Sequence, residues 1–310
     1  MSAPFRRLAV LGLGLLGGSL ALAARRRGLA DCVAGGARRA DTREAALARG
    51  AVDEAGDLES AARGADLIVL ATPLFAMPEL LRRVAPTLAP GAIATDVGSV
   101  KGGLAEVLPG LLPAGATYVG SHPMAGSHRS GLEHAREDLF EGAVCVVDAS
   151  ADATARERVC GLWRALGARV VLRDAAQHDA EVAWISHLPH LLAFAFAGAL
   201  RAAPARAFEV AGPGFRDFTR IAHSEPELWA EILTANRKAL VAPLEAVGTA
   251  LREIARAIEA NDAETLERWI GAARSALAPE GTRGSGPAIE ARRTPDGVPS
   301  RAGRGETSRT

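Results

Sequence analysis

Three glycines, Gly12, Gly14 and Gly17, stand at the spacing G-x-G-x-x-G directly behind the apolar run 8–11. The spacing suits a dinucleotide. The first glycine permits a tight turn, the second lets the backbone approach a pyrophosphate, and the third lets helix and strand pack closely. The helix N-terminus then faces the anion. Leu15, at the mouth of that helix, and Thr72, in Ala71-Thr72-Pro73, are expected beside the same cofactor. Further on, residues 96–102 read DVGSVKG and residues 120–126 read GSHPMAG. They bring a hydroxyl (Ser99), an ammonium (Lys101) and an imidazole (His122), a set suited to proton transfer near neutral pH. A histidine by itself is more often structural. Coupled to Ser99, Lys101 and a cofactor turn on one sheet edge, it points to catalysis. Pro123 biases His122 toward extended backbone, so its ring should project from a strand end.

The turn after the second strand bears on the cofactor. An acid usually stands there to bind the adenine ribose hydroxyls. Here residues 32–36 are followed by Ala37, Arg38 and Arg39, and no carboxylate appears until Asp41. A pair of guanidinium groups suits a 2′-phosphate, so NADP is the preferred cofactor and NAD a possible one. A solvated basic turn is the alternative reading.

These groups need a scaffold, and the pattern supplies one. From residue 8 to 172, short apolar runs alternate with helical stretches, as in a parallel α/β sheet. Strands are expected at 8–11, 32–34, 67–71, 92–96, 117–120, 143–147 and 170–172. Helices are expected at 16–27, 42–49, 58–63, 77–85, 101–108 and 154–166. The uncharged run 8–24 behind Arg6 and Arg7 resembles the apolar region of an export signal, but its central glycines and the arginines at 25–27 fit a strand, turn and helix better. Beyond Asp174 the texture changes to long helices at 175–200 and 225–277, with Ile185, Leu188, Leu192 and Phe196 at helical spacing. The expected organisation is a Rossmann-like α/β dinucleotide-binding domain over 1–173, an all-α substrate and dimerisation domain over 174–278, and a disordered tail over 279–310.

The 36 basic and 36 acidic residues cancel. That balance argues against a nucleic-acid or membrane-surface partner. Three widely spaced cysteines make neither a disulfide framework nor a metal site, which fits a reducing cytoplasm. Only two basic residues are lysine, Lys101 and Lys238, so each is worth testing for a role arginine could not fill.

Six segments in order, GLGLLGGSLA at 12–21, ATP at 71–73, DVGSVKG, GSHPMAG, WISHLPH at 184–190 and GPGFRDFTRIA at 212–222, closely resemble the prephenate/arogenate dehydrogenases of tyrosine biosynthesis. The resemblance runs from about residue 8 to 277. It implies a homodimer formed by the helical domain and an oxidative decarboxylation of prephenate or arogenate. By it, His122 takes the proton of the substrate hydroxyl and Ser99 orients that hydroxyl and the imidazole. Arg220 would grip the ring carboxylate. His187 would face the cleft, while His190 is equally readable as a packed helix residue. Lys101 would support the substrate electrostatically, with a surface lysine as the alternative. Trp229 would reach the substrate from the partner subunit, unless it packs in a core. Many relatives carry an acid just after the GSHPMAG segment; here Ser127, His128 and Arg129 follow, which suits the keto and carboxylate groups of prephenate rather than an ammonium. Ser127 is therefore counted with the substrate-binding residues. A β-hydroxyacid dehydrogenase or imine reductase would leave the GSHPMAG and FTRIA segments unexplained. A non-catalytic NADP sensor would need no Ser99, His122 and Arg220 together.

Overall fold

The computed structural model describes residues 4–126 and 129–277. Ser127 and His128, and the tail expected over 279–310, lie outside the described residues. The chain begins with β1 (Phe5–Leu11), α1 (Leu15–Arg26), β2 (Ala30–Gly36), α2 (Ala40–Ala48), β3 (Glu54–Gly56), α3 (Leu58–Ala62) and β4 (Leu67–Leu70). It continues with α4 (Met77–Val84), β5 (Ile93–Asp96), α5 (Gly102–Val107) and β6 (Thr117–Val119). These strands form one parallel sheet in the order β3-β2-β1-β4-β5-β6. Strands covered on both faces must be apolar throughout, and β4 is entirely buried. The two-residue period of β1 divides its side chains between two cores. Leu8 and Val10 pack with α1, Phe140 and Trp163, whereas Ala9 and Leu11 pack with α3, α4 and α5.

The chain leaves this sheet at Gly120 and at once enters a second, three-stranded one. It comprises β7 (Ser121–Pro123), antiparallel to β8 (Val144–Asp148), which lies parallel to β9 (Arg169–Arg173) across α6 (Ala153–Ala165). The expected strands are all present, but the sequence reading did not separate β7 from β6 and did not include β3.

A capping box of Asp174 and Gln177 opens α7 (Ala175–Val182). A five-residue π turn, Ala183–His187, joins it to α8 (Leu188–Ala199). Then follow α9 (Pro213–Thr219), α10 (Pro226–Ala235), α11 (Arg237–Glu259) and α12 (Ala263–Ala276). The sequence boundary at 173/174 marks where strands give way to helices. The first compact unit nevertheless runs on to Ala246, because α7 caps α5 through Asp179 and α10 sets Trp229 and Ile232 into the core under the sheet. The second unit starts at Val247 and holds the rest of α11 and α12. By length and composition Ala175–Ala202 could cross a membrane, yet its middle carries two histidines that line the cavity described below.

Candidate active site

A cavity of about 540 Å³ opens at the carboxyl ends of β1, β4 and β5. That is the usual volume for a small-molecule site and the usual place for one on an open parallel sheet. One end is the glycine turn. Gly12 has φ +108°, and a Cβ there would lie 2.4 Å from the Ala71 carbonyl oxygen. A Cβ on Gly17 would lie 1.9 Å from the Gly12 oxygen, so the third glycine is required for packing. A Cβ on Gly14 would meet only open space, where a cofactor can approach the backbone. Leu15 lines the same end, and Thr72 points a buried hydroxyl without a hydrogen-bond partner into it. These residues fit a nicotinamide dinucleotide.

At the adenosine turn, Ala37 follows β2, and Arg43 donates to the carbonyls of Ala37 and Arg38. Arg39 is clasped by Asp41, whose carboxyl its hydrogen bonds lower to about 2. The Arg38 side chain makes no hydrogen bond among the described residues. Of the two expected phosphate ligands, one therefore begins with a carboxylate partner.

The other end of the cavity is built around histidines. His122, on β7, is 7% exposed and lines the cavity. Its Nδ1 lies 2.8 Å from Nε2 of His178 on α7, and His178 Nδ1 lies 2.8 Å from the Asp179 carboxylate. Burial would raise the Asp179 carboxyl. Hydrogen bonds from His178 and from the amides of Lys101 and Gly102 outweigh it and hold the group below its ordinary value. Burial, and then the charges of His178 and Lys101, push His122 well below the ordinary imidazole value. It is thus neutral and able to accept a proton.

His187, 1% exposed, ends the π turn and accepts at Nδ1 from the Asn236 amide at 3.0 Å. Burial lowers its pKa to about 4, and its Nε2 is buried with no partner. His190 lines the cavity too. It donates from Nδ1 to the Ser186 carbonyl and stacks on Trp229 at 3.7 Å between ring centroids. Arg220, in the short turn after α9, reaches the same space and forms no ion pair among the described residues.

Ser99, His122, His187, Arg220 and Trp229 are brought together as the sequence suggested. Three expectations change. Trp229 lines the cavity of its own chain rather than a partner's, because α10 packs into the core under the sheet. Lys101 does not face the substrate. It is 4% exposed, and its ammonium is bound to the Asp96 carboxylate, which also accepts from Tyr118 Oη and the amides of Gly98 and Ser121. The His122 ring is held by His178, and Ser99 makes no hydrogen bond to it. His178, Asp179 and Asn236 were missed; the polar run in α7 was the only signal for the first two, and Asn236, at the end of α10, had none.

A Rossmann-like sheet, a glycine turn and a neutral histidine on one cavity define an NAD(P)-dependent dehydrogenase. Residues 20–172 match the family model for the prephenate dehydrogenase nucleotide-binding domain, and residues 174–272 that for the prephenate dehydrogenase dimerization domain. The chain belongs to the prephenate dehydrogenase family. It is 32% identical to a prephenate dehydrogenase of Lactococcus lactis over 86% of this chain and 75% of that one. The prephenate dehydrogenase of A. aeolicus, solved with hydroxyphenyl propionate and NAD+, is similar with a TM-score of 0.80 at 28% identity, covering 87% of this chain and 96% of that one. The arogenate dehydrogenase of Synechocystis gives a TM-score of 0.74 at 34% identity, covering 87% and 98%.

Proposed function

We propose that the chain converts prephenate to 4-hydroxyphenylpyruvate and carbon dioxide in tyrosine biosynthesis, with arogenate as the alternative substrate. One observation carries the choice. Among the described residues, the cavity wall holds two arginines and three histidines but no carboxylate. The arginines attract the carboxylates of prephenate, and no side chain in the wall carries a negative charge to pair with the ammonium of arogenate. When bound, NAD(P)+ accepts the hydride from the substrate carbon that bears the hydroxyl. His122 Nε2 takes the hydroxyl proton as that carbon gains carbonyl character. The ring carboxylate, held by Arg220, leaves as carbon dioxide and its bonding pair completes the aromatic ring. His122 then returns the proton to the phenolate oxygen, so no proton is consumed. Incubation with prephenate and arogenate separately, followed by nicotinamide absorbance, tests the reading. Turnover of prephenate is expected; turnover of arogenate alone would reverse the substrate choice.

Arg220→Ala should raise the Michaelis constant for prephenate about tenfold to a hundredfold, the worth of a charge-assisted hydrogen bond of ~1.5–3 kcal/mol. Cofactor affinity should hardly change. An unaltered Michaelis constant would assign Arg220 to the scaffold.

NADP is the preferred cofactor in this reading. Ala37 supplies no acceptor for the ribose, and Arg38 stands ready for a 2′-phosphate even while Asp41 competes for Arg39. Ala37→Asp combined with Arg38→Ala should turn a preference for NADP into one for NAD. The change is read as the ratio of kcat/KM for the two cofactors, and an NAD preference in the unaltered chain would show that Arg38 faces only solvent.

A homodimer accounts for the apolar side chains left exposed on the helices, among them Trp184, Ile185, Phe196 and Phe218. The cysteines Cys32, Cys145 and Cys160 are free, in keeping with a cytoplasmic enzyme.

A further inference from the structure

Two of the three cavity histidines, His122 and His187, are tied to Asp179 through different atoms of that residue, each by way of one intervening side chain. The Asp179 carboxylate can only accept, so the His178 Nδ1 bonded to it must carry the proton. A neutral His178 then has a bare Nε2, which must accept from His122 Nδ1–H. That leaves Nε2 of His122 bare. The second path starts from the Asp179 backbone carbonyl, which accepts one N–H of the Asn236 amide at 2.8 Å. The other N–H of the same nitrogen points to His187 Nδ1, which must therefore be bare. The proton of His187 sits on Nε2, a buried atom without a partner on a side chain that lines the cavity.

We propose that Asp179 sets the two imidazoles in opposite tautomers, making His122 Nε2 an acceptor and His187 Nε2–H a donor to a substrate oxygen. The two cannot then exchange roles. His122 is able to take the hydroxyl proton, while His187 can only offer one to a carboxylate or keto oxygen. A neutral donor left unpaired in a buried site rejects a substrate that lacks the matching oxygen. His178, Asp179 and Asn236 are thus positioning residues, acting through their neighbours.

The kinetic arm of the test rests on prephenate being the substrate; the spectroscopic arm does not. In the full-length chain labelled with 15N-histidine, imidazole shifts read which nitrogen bears the proton. Signals are assigned with His122→Gln and His187→Gln. The expected pattern is a proton on Nδ1 of His122 and of His178 and on Nε2 of His187. A doubly protonated His178, or His187 protonated on Nδ1, would overturn the proposal whatever the enzyme turns over. In kinetics, His178→Leu should lower kcat about tenfold to a hundredfold, as loss of an orienting partner does. His178→Gln, which puts an amide oxygen near the Nε2 position, should recover most of that loss. His187→Leu should raise the Michaelis constant with kcat less affected, and His187→Gln, which retains an N–H there, should recover part of the affinity. Folding of each variant is verified by circular dichroism. Glutamine variants no better than the leucine ones would show that the two histidines only fill space.

Discussion

Replacing His122 with asparagine is expected to lower kcat by about 10²–10⁴-fold, the usual contribution of a general acid–base group, with NAD(P) affinity unchanged. Asparagine can retain a hydrogen bond toward His178 but cannot take the hydroxyl proton. The unaltered enzyme should also keep its activity to lower pH than an ordinary histidine would allow. The reacting form is the neutral ring, and burial lowers its pKa well below the reference of ~6.5, so protonation disables it only below that value. An unperturbed histidine would place the acid limb near that reference. Burial of the ring on β7 and the His178 ring beside it move it down. The limb should vanish in His122→Asn. Full turnover in the variant, or an acid limb that survives in it, would remove His122 from the proton path.

Lys101→Met should lower the free energy of unfolding by about 3–5 kcal/mol, the cost of leaving a buried charge without its partner. Asp96 is fully buried and would keep only the hydrogen bonds from Tyr118, Gly98 and Ser121. Against a total stability of about 5–15 kcal/mol this is a large fraction, visible as a fall in the urea midpoint. The Lys101–Asp96 pair lies beneath the junction where β6 passes to β7. There Asp96 accepts from the Ser121 amide, one residue before His122. Arginine would not substitute freely. A Cβ on Gly120 would already come within 3.3 Å of the lysine stem, which shows how little room surrounds it. A higher Michaelis constant for substrate without any loss of stability would instead return Lys101 to the substrate.

Much of the nucleotide-binding half was legible because its signals are local. The glycine turn needs backbone freedom at fixed spacing, and strands buried on both faces must be continuous apolar runs. β3 carried no such signal, since Glu54, Ala55 and Gly56 form a three-residue sheet edge without a large apolar side chain. His122, Ser99 and Arg220 were legible through their motifs. The residues that orient the rings were not. His178 meets His122 across 56 positions and Asn236 meets His187 across 49, and side-chain contacts at such separations impose no periodicity on the chain. Lys101 was visible as a rare lysine, but a lysine facing substrate and one neutralising a buried aspartate look alike in sequence. Trp229 failed for a related reason: a large aromatic on an amphipathic helix does not reveal which chain it packs in.

The π turn at Ala183–His187 bears on how this chain can change length over evolution. A π turn holds one residue more than an α turn, and an α-helix advances about 100° per residue. Deleting any one residue within 183–186 would let the helix run on as regular α. The half bearing His178 and Asp179 would then be turned by about that angle against the half bearing His187 and His190. No side chain of either path need be lost, yet both paths from Asp179 could not be satisfied at once. The stretch between Asp179 and His190 is thus constrained in its residue count as well as in its residue identities, whereas surface connections elsewhere in the fold are free to lengthen and shorten.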